Sequence, residues 1–309
     1  LDCQGTGAGQ FRGVDVDGSV VQKAYASQLV SMSLGSTTWC AGETRNVTVQ
    51  IKNVGSAAWI DGSGNDFNIG AKWNTNGANW TDYHVRVDAQ NLAAGATGTY
   101  VIPITASNNA GLGYTTALSA GTNNLTFDIV YEGVSWFGDN NGVVGPGNTE
   151  FVSANQTINA LPGITPGANP SVCAGTTSAS LSYTGATGSP NQYSIDYDVT
   201  ANTAGFADVT NATLAASPIT LTVPGAAPAA TYNGTLTVRN STTGCISSSY
   251  PITVTVVALP TVSTGTNPSV CRGTTSALLS FTTTNSPNQY SIDYSTAANT
   301  AGFTDVTNA

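Results

Sequence analysis

One segment of this sequence occurs twice, and its pattern predicts the fold. The segment N-P-S-V-C-A-G-T-T-S-A occupies residues 169–179 and returns as N-P-S-V-C-R-G-T-T-S-A at residues 267–277. The motif S-P-N-Q-Y-S-I-D-Y follows in both copies, at residues 189–197 and 286–294. The two cysteines are 98 residues apart, and solenoid repeats have periods of only about 20–50 residues. The period instead predicts one independently folded domain per repeat.

The strands of this repeat are predicted by apolar residues that alternate with threonines. Ile219, Leu221 and Val223 alternate in this way, and residues 235–238 and 252–256 repeat the pattern. A period of two places the apolar side chains on one face and the threonines on the other. About seven such strands in each unit predict a small immunoglobulin-like β-sandwich.

The first half of the chain has the same strand signal. Val47, Val49 and Ile51 alternate with polar residues, and turn clusters rich in Gly and Asn separate this run from later ones. The predicted fold class is therefore all-β, with tandem immunoglobulin-like β-sandwich domains joined in an elongated rod. The predicted domains are a Gly-rich N-terminal segment (1–27), a larger Ig-like sandwich (28–158), a first Ig-like repeat (161–258) and an incomplete second repeat (259–309).

The composition indicates the cellular environment of the protein and argues against some classes of partner. Charged residues make up 8% of the chain, against roughly 25% in ordinary soluble proteins. The net charge of −9 argues against a nucleic-acid partner, which needs clustered Lys and Arg. No run of 18 or more apolar residues is present, so we expect no membrane insertion. Uncharged polar residues dominate instead, as is typical of extracellular β-rich proteins.

The five cysteines predict disulfides in an oxidising compartment. The chain has one histidine and no Cys-x-x-Cys motif, which makes a zinc site unexpected. Cys173 and Cys245, near the two ends of the first repeat, are predicted to pair and to close a loop of about 70 residues. Cys3 is the predicted partner of Cys40. Cys271 corresponds to Cys173, so its predicted partner lies near position 342, beyond the last residue.

All five tryptophans lie in the first domain. Trp59 and Trp136 are predicted to be core residues, because a buried indole removes a large apolar area from water. Trp73 and Trp80 flank a loop rich in Asn and Gly. For these two the sequence leaves open a core position or an exposed contact that stacks on a sugar ring.

Two resemblances follow from these residues. The segment N-V-G-S-A-A-W at residues 53–59, together with residues 125–137, resembles bacterial Ig-like adhesion modules of the CARDB type. The repeated motifs of residues 161–309, with the late Thr-Gly-Cys at 243–245, resemble the tandem domains of Bacteroidota cell-surface proteins. These include SprB-like gliding-motility adhesins and other type IX secretion cargo. The resemblance implies an exported, surface-displayed, multi-domain fibre without enzymatic activity.

The sequence selects no catalytic residue. His84 lies in the alternating run D-Y-H-V-R-V without a nucleophile elbow to serve it. The acidic residues of the first domain do not single out a pair for glycoside hydrolysis. Asp15 and Asp17 open a segment similar to a calcium loop, but its twelfth position is Ala26 instead of a carboxylate. They are weak calcium candidates, and no other cofactor is expected.

The sequence thus predicts a non-enzymatic extracellular structural or adhesive repeat protein that forms a surface fibre or filament. Its expected partners are copies of itself or other surface proteins, with surface glycans as a further candidate. One alternative is a carbohydrate-binding module that uses Trp73 and Trp80. Another is an accessory β-domain of a secreted hydrolase.

Overall fold

A computed structural model describes residues 24–62, 66–74, 84–107, 117–137 and 151–309, together with two short strands before them. The regular elements of the described residues are strands apart from two five-residue helices, which confirms the predicted all-β class. The chain divides into two compact units. The first unit contains residues 1–162, 187–189 and 240–246, and the second contains residues 163–186, 190–239 and 247–309. None of the helices in the described part of the chain is long and apolar enough to cross a membrane.

The strands of the first unit follow one another along the chain up to residue 159. They are β1 (Gly13–Val14), β2 (Val20–Val21), β3 (Ser27–Ser33), β4 (Thr38–Cys40), β5 (Thr44–Asn53), β6 (Phe67–Trp73), β7 (Val85–Asp88), β8 (Thr97–Thr105), β9 (Gly121–Asn123), β10 (Leu125–Tyr131), β11 (Ser135–Trp136), β12 (Phe151–Val152) and β13 (Gln156–Asn159).

Three sheets enclose the core of the first unit. One has the order β3-β5-β8, the second has the order β11-β10-β6-β7 with β12 also on β10, and the third has the order β4-β13-β9. The pairs are antiparallel except β4 with β13, which is parallel. Val47, Val49 and Ile51 of β5 are fully buried, as their period-two spacing predicts.

The second unit contains eleven strands and both helices. They are β14 (Gly163–Pro166), β15 (Ser171–Cys173), β16 (Ser178–Leu181), β17 (Tyr183–Thr187), β18 (Gln192–Tyr197), α1 (Val199–Thr203), β19 (Val209–Thr213), β20 (Ile219–Thr222), β21 (Ala230–Arg239), β22 (Tyr250–Val257), β23 (Thr261–Thr264), β24 (Phe281–Thr284) and α2 (Thr296–Thr300).

A single apolar core lies within residues 163–257. The main sheet has the order β15-β22-β21-β18-β19, and β16 pairs with β20, β14 with β17 and β23 with β24 in separate two-stranded sheets. Leu181 of β16 and Leu221 of β20 belong to the same buried cluster as Leu236 and Val254 of the main sheet. The apolar side chains of the two sheets therefore meet in one layer, while the threonines between them point outward.

Asn53 holds the turn that follows β5. Its amide nitrogen donates to the carbonyl oxygens of Ala57 (2.9 Å) and Leu92 (3.1 Å), and its Oδ1 accepts from the Gly55 amide at 3.0 Å. A Cβ on Gly55 would clash with the carbonyl oxygen of Ala24. The N-x-G-x-x-x-W segment is therefore a structural turn that leads the chain to the buried Trp59.

We expect Asn53→Ala to lower the free energy of unfolding by about 2–3 kcal/mol, because it leaves buried backbone groups without partners. Urea denaturation of the full chain measures the change. Asn46→Ala, at an exposed position of the same strand, is the matched control and should change stability by less than about 0.5 kcal/mol. Equal losses in the two variants would contradict the assigned role.

A turn of the form Cys-x-Gly occurs at Cys40, Cys173 and Cys271. In each turn the amide three residues after the cysteine donates to the cysteine carbonyl oxygen at 3.0–3.1 Å. The glycine has a φ of 76°, 87° and 91° respectively, as the third position of a type II turn requires. The strands before the first two turns, β4 and β15, pair in parallel with β13 and β22. The first unit and the repeat therefore use the same local arrangement at this point.

The Cys40 turn is fixed by charge as well as by backbone geometry. Glu43 Oε2 accepts from the Cys40 amide at 2.8 Å, and Glu43 Oε1 is 2.5 Å from Arg45 Nε. Burial alone would raise the pKa of Glu43, but the hydrogen bonds from Arg45 and Cys40 and the Arg45 charge together hold it below its ordinary value. The Arg45 guanidinium also lies 4.5 Å from the ring centre of Trp39.

The disulfide of the described chain joins Cys40 to Cys245, with their Cα atoms 5.6 Å apart. The predicted pairs Cys173–Cys245 and Cys3–Cys40 are therefore wrong in this structure. Cys173 and Cys271 are free and exposed, and Cys3 lies outside the described residues.

Strand register explains the wrong pairing. Cys245 lies in the turn before β22, whereas Cys173 lies opposite Val257 at the other end of that strand. Eight residues of β-strand span about 26 Å, and a disulfide requires a Cα separation of roughly 4–7 Å. Sequence distance alone does not reveal which end of a strand a cysteine occupies.

Mass spectrometry of the unreduced protein after proteolysis tests this pairing. The structure predicts a linked peptide that contains Cys40 and Cys245, and it predicts that an alkylating reagent modifies Cys173 and Cys271 before reduction. The free thiols serve as the internal control for complete alkylation. A linked peptide that contains Cys173 and Cys245 would contradict the structure.

Candidate functional site

Two copies of the repeated segment have the same local structure but different surroundings. We call residues 161–212 the covered half and residues 259–309 the half-unit. β14 pairs with β17 in the covered half, as β23 pairs with β24 in the half-unit. The Tyr197 amide donates to Asp208 Oδ1 at 2.9 Å, and the Tyr294 amide donates to Asp305 Oδ1 at 2.8 Å. The half-unit is therefore locally folded like its counterpart.

Three strands complete the two sheets to which the strands of the covered half belong. We call β20, β21 and β22 together the strand set. Ala179 and Leu181 of β16 lie opposite Leu221 and Ile219 of β20. β21 runs beside β18, and β22 pairs in parallel with β15. The apolar side chains of the covered half that point into the core between the two sheets are almost completely buried.

The half-unit presents the same apolar side chains to solvent. Phe303 is 56% exposed, whereas its counterpart Phe206 is 3% exposed. Leu279 is 39% exposed and Leu181 is fully buried. Phe281, Tyr290 and other apolar residues of the half-unit are also exposed. The further members are Val262 and Val270. Exposed apolar patches of this kind mark interaction surfaces, and this face is the candidate functional site.

The acidic residues of the covered half have structural roles. Asp198 is the N-cap of α1: its Oδ1 accepts from the Ala201 amide at 2.8 Å and its Oδ2 accepts from the Asn233 side chain at 3.0 Å. These two hydrogen bonds, with that from Ala201 the larger, lower the pKa of Asp198. Ser295 replaces Asp198 as the N-cap of α2. No group of three or more potential metal ligands occurs among the residues that the structure describes, and Asp15 and Asp17 lie outside them.

The tryptophans of the first unit contribute mainly to its core. Trp39, Trp59 and Trp73 are buried, and the rings of Trp39 and Trp73 meet edge to face with centres 5.4 Å apart. Trp73 Nε1 donates to the Thr105 carbonyl oxygen at 2.6 Å. Trp73 is therefore a core residue, and its ring cannot stack on a sugar. Trp59 is confirmed as a core residue, Trp136 is half-buried, and Trp80 lies outside the described residues.

The Asp61 and Asp88 carboxylates lie beside each other at the edge of the first unit. Burial raises the pKa of Asp61, and interactions with Asp88 and Asp66 raise it further. Each carboxylate also closes a turn, because Asp61 Oδ1 accepts from the Phe67 amide and Asp88 Oδ1 accepts from the Gln90 amide. Both carboxylates therefore have a structural role, because each one closes a turn.

Two buried charged residues were not foreseen from the sequence. Lys72 of β6 and Asp128 of β10 are fully buried, although alternation predicts that they point away from the aromatic core. Thr126 lies opposite Lys72, and its hydroxyl is buried without a hydrogen-bond partner. Alternation gives the direction of a side chain but does not tell whether other chain segments cover that face.

His84 is a buried neutral side chain next to β8. Its Nε2 accepts from the Thr105 amide at 3.1 Å, which fixes the imidazole in its unprotonated form at this nitrogen. Burial lowers its pKa from 6.5 to about 4. The ring is therefore held against the backbone of Thr105 inside the first unit.

His84 predicts a pH dependence of stability. The unfolded chain takes up a proton near pH 6.5 and the folded chain only near pH 4, so the stabilising contribution is complete above pH 6.5 and is lost as the pH falls from 6.5 to 4. Between pH 7 and pH 5 the loss should be about 2 kcal/mol. Urea denaturation of the native protein and of His84→Leu at both pH values measures it. The His84→Leu variant should lack this loss, and identical pH dependences would contradict the assignment.

Comparison with known proteins gives only distant structural similarities. No protein-family model matches the sequence, and no curated protein matches it. A β-glucosidase from Listeria innocua is similar in structure, with 14% identity and a TM-score of 0.26 over 46% of this chain. The match spans only 16% of that enzyme.

Two further solved structures are similar at the same low level. The human OSCAR ligand-binding domain has 13% identity and a TM-score of 0.22, over 75% of this chain and 98% of that domain. The adhesin domain of Epf from Streptococcus pyogenes has 11% identity and a TM-score of 0.23, over 69% of this chain and 74% of that domain. Similarities this distant carry no argument about function.

Proposed function

We propose that this protein is a non-enzymatic extracellular structural and adhesive repeat protein that contributes to a surface fibre or filament. The observation that carries the proposal is the repeated β unit, whose two copies keep the same hydrogen bonds at equivalent tyrosines and aspartates. The Cys-x-Gly turn occurs in both copies and once more in the first unit. A chain that repeats one folded unit is suited to span distance by adding copies.

The cysteine chemistry and the composition support an extracellular location. A disulfide such as Cys40–Cys245 persists in oxidising compartments. Low charge and a surface of Thr, Ser and Asn agree with that environment. The resemblance to Bacteroidota cell-surface repeat proteins, including type IX secretion cargo, leads to the same proposal. The proposed partners are copies of this chain and other surface proteins. Trp73 provides no glycan platform because its ring is buried.

Electron microscopy of the native material, recovered from the surface of the cells that make it, tests the proposal. We expect fibres with a regular spacing along their length, labelled by an antibody against the 309-residue chain. Sedimentation of the same sample measures the fraction that is assembled. Dispersed monomers at high protein concentration in the native material would rule out the fibre.

A further inference from the structure

We propose that Lys72 of β6 and Asp128 of β10 are joined by an amide bond, which cross-links two neighbouring strands of the first unit. The bond connects Lys72 Nζ to Asp128 Cγ. Both side chains are buried, with exposed fractions of 0% and 1%. Ionised groups are costly to bury, and an amide removes the charge of both. The inference goes beyond the proposed function, because it concerns a covalent bond inside the first unit and does not depend on fibre formation.

The strand register places the two side chains within reach of each other. β6 and β10 are antiparallel, with Lys72 opposite Thr126 and Gly70 opposite Asp128. Lys72 and Asp128 are therefore diagonal neighbours on one face of the sheet, with Cβ atoms roughly 7 Å apart. The flexible four-carbon stem of a lysine can span that gap. Gly70 has no side chain that would separate the two groups.

The Asp128 carboxyl group is held in a fixed orientation by the backbone. Its Oδ1 accepts a hydrogen bond from the Ile129 amide at 2.8 Å. When a nucleophile adds to Cγ, negative charge develops on Oδ1, and an N–H group already aimed at that oxygen stabilises it. Oδ2 is then the oxygen that leaves. The Ile129 amide therefore determines which oxygen of Asp128 becomes the amide carbonyl.

Thr126 places a hydroxyl group beside both reacting side chains. It lies directly opposite Lys72 and two residues before Asp128, on the same face of the sheet. The Thr126 side chain is fully buried, and its Oγ1 has no hydrogen-bond partner. Buried polar groups without a partner are rare in folded proteins. A hydroxyl at this place can accept a proton from the attacking nitrogen and donate its own proton to the leaving oxygen.

The atoms of the reaction balance without an added reactant. A proton passes from the Lys72 ammonium to Oδ2 of the Asp128 carboxylate, and the neutral amine and acid that result are favoured away from water. The lone pair of Nζ forms a bond to Cγ, and the π electron pair of the carboxyl group moves to Oδ1. Thr126 takes a proton from Nζ and gives its own to Oδ2. The Cγ–Oδ2 bond breaks, water leaves with its electron pair, and the double bond between Cγ and Oδ1 re-forms.

Mass spectrometry of the folded, purified 309-residue protein tests for the bond. After the protein is denatured and its disulfide is reduced, its mass should be lower than the mass calculated from the sequence by one water molecule. Trypsin should fail to cleave after Lys72, because the amide removes the positive charge that this protease recognises. Further digestion should give one branched peptide in which Lys72 is linked to Asp128.

Substitutions at the two ends of the bond make the test specific. Lys72→Arg keeps the positive charge but should abolish the loss of water, because a guanidinium is not deprotonated in proteins. Lys52→Arg, the same change at a half-buried position of β5, is the matched control and should retain the loss. Asp128→Asn should lose ammonia instead of water, because nitrogen then replaces Oδ2 as the leaving atom. If Lys72→Arg does not fold, the native protein and Asp128→Asn still decide the question.

The role of Thr126 is tested by the rate of the reaction. The chain is isolated under denaturing conditions before it folds, and its mass is followed after the denaturant is diluted. Thr126→Val should slow amide formation at least about tenfold, because proton transfer through a correctly placed group accelerates a reaction by that factor or more. Thr126→Ser keeps the hydroxyl and should react at the native rate. Circular dichroism checks that each variant has folded before the rates are compared.

A native mass equal to the mass calculated from the sequence would overturn the inference. So would a loss of water that persists in Lys72→Arg, or a branched peptide that links other residues. Equal rates for Thr126→Val and the native chain would overturn the proton transfer assigned to Thr126. The mass is measured whether or not the material forms fibres. Dispersed monomers that contain the amide therefore overturn only the proposed function, and fibres without it overturn only this inference.

Discussion

A β-sheet with one apolar face is stable only when a second layer removes that face from water. The second unit shows this constraint in two copies of one sequence. Residues 161–212 form two facing sheets together with three further strands, β20, β21 and β22, and bury their leucine, isoleucine and aromatic side chains. Residues 259–309 form the same turns and caps without that cover, and their apolar side chains remain exposed. The local sequence is therefore enough to form these turns and caps. A buried core forms only where β20, β21 and β22 are also present.

The first unit satisfies the same constraint with aromatic side chains. Trp59, Phe67 and Phe137 are buried together, with the rings of Trp59 and Phe67 stacked at 5.9 Å between centres. Such rings bury a large area and restrict the geometry of their neighbours. Asn53 then directs the chain into this core by bonding the backbone of Gly55 and Ala57 in the adjoining turn and the carbonyl oxygen of Leu92. The residues that resembled an adhesion module are thus explained by packing and turn formation.

The strands could be predicted from sequence because a period of two is a local property, as Val47, Val49 and Ile51 show. The disulfide could not, since the position of Cys173 depends on its register with β22, which is set by long-range pairing. Trp73 was left undecided because a loop rich in Asn and Gly follows it in the sequence, but the carbonyl of Thr105 and the ring of Trp39 hold it in the core. The burial of Lys72 and Asp128 had no sequence signal, because alternation does not tell whether the outer face of a strand is covered. The exposed face of the half-unit was evident only by comparison with the complete repeat.

Amide hydrogen exchange of the free 309-residue chain measures how much β20, β21 and β22 stabilise the repeated segment. The peptide Y-S-I-D-Y occurs at residues 193–197 and at residues 290–294, so the intrinsic exchange rates of the inner amides are the same. If the strand set provides the stability, Ser291 and Asp293 should exchange at least about a thousandfold faster than Ser194 and Asp196. Equal protection of the two copies would contradict the account, because the half-unit would then be stable without a covering layer.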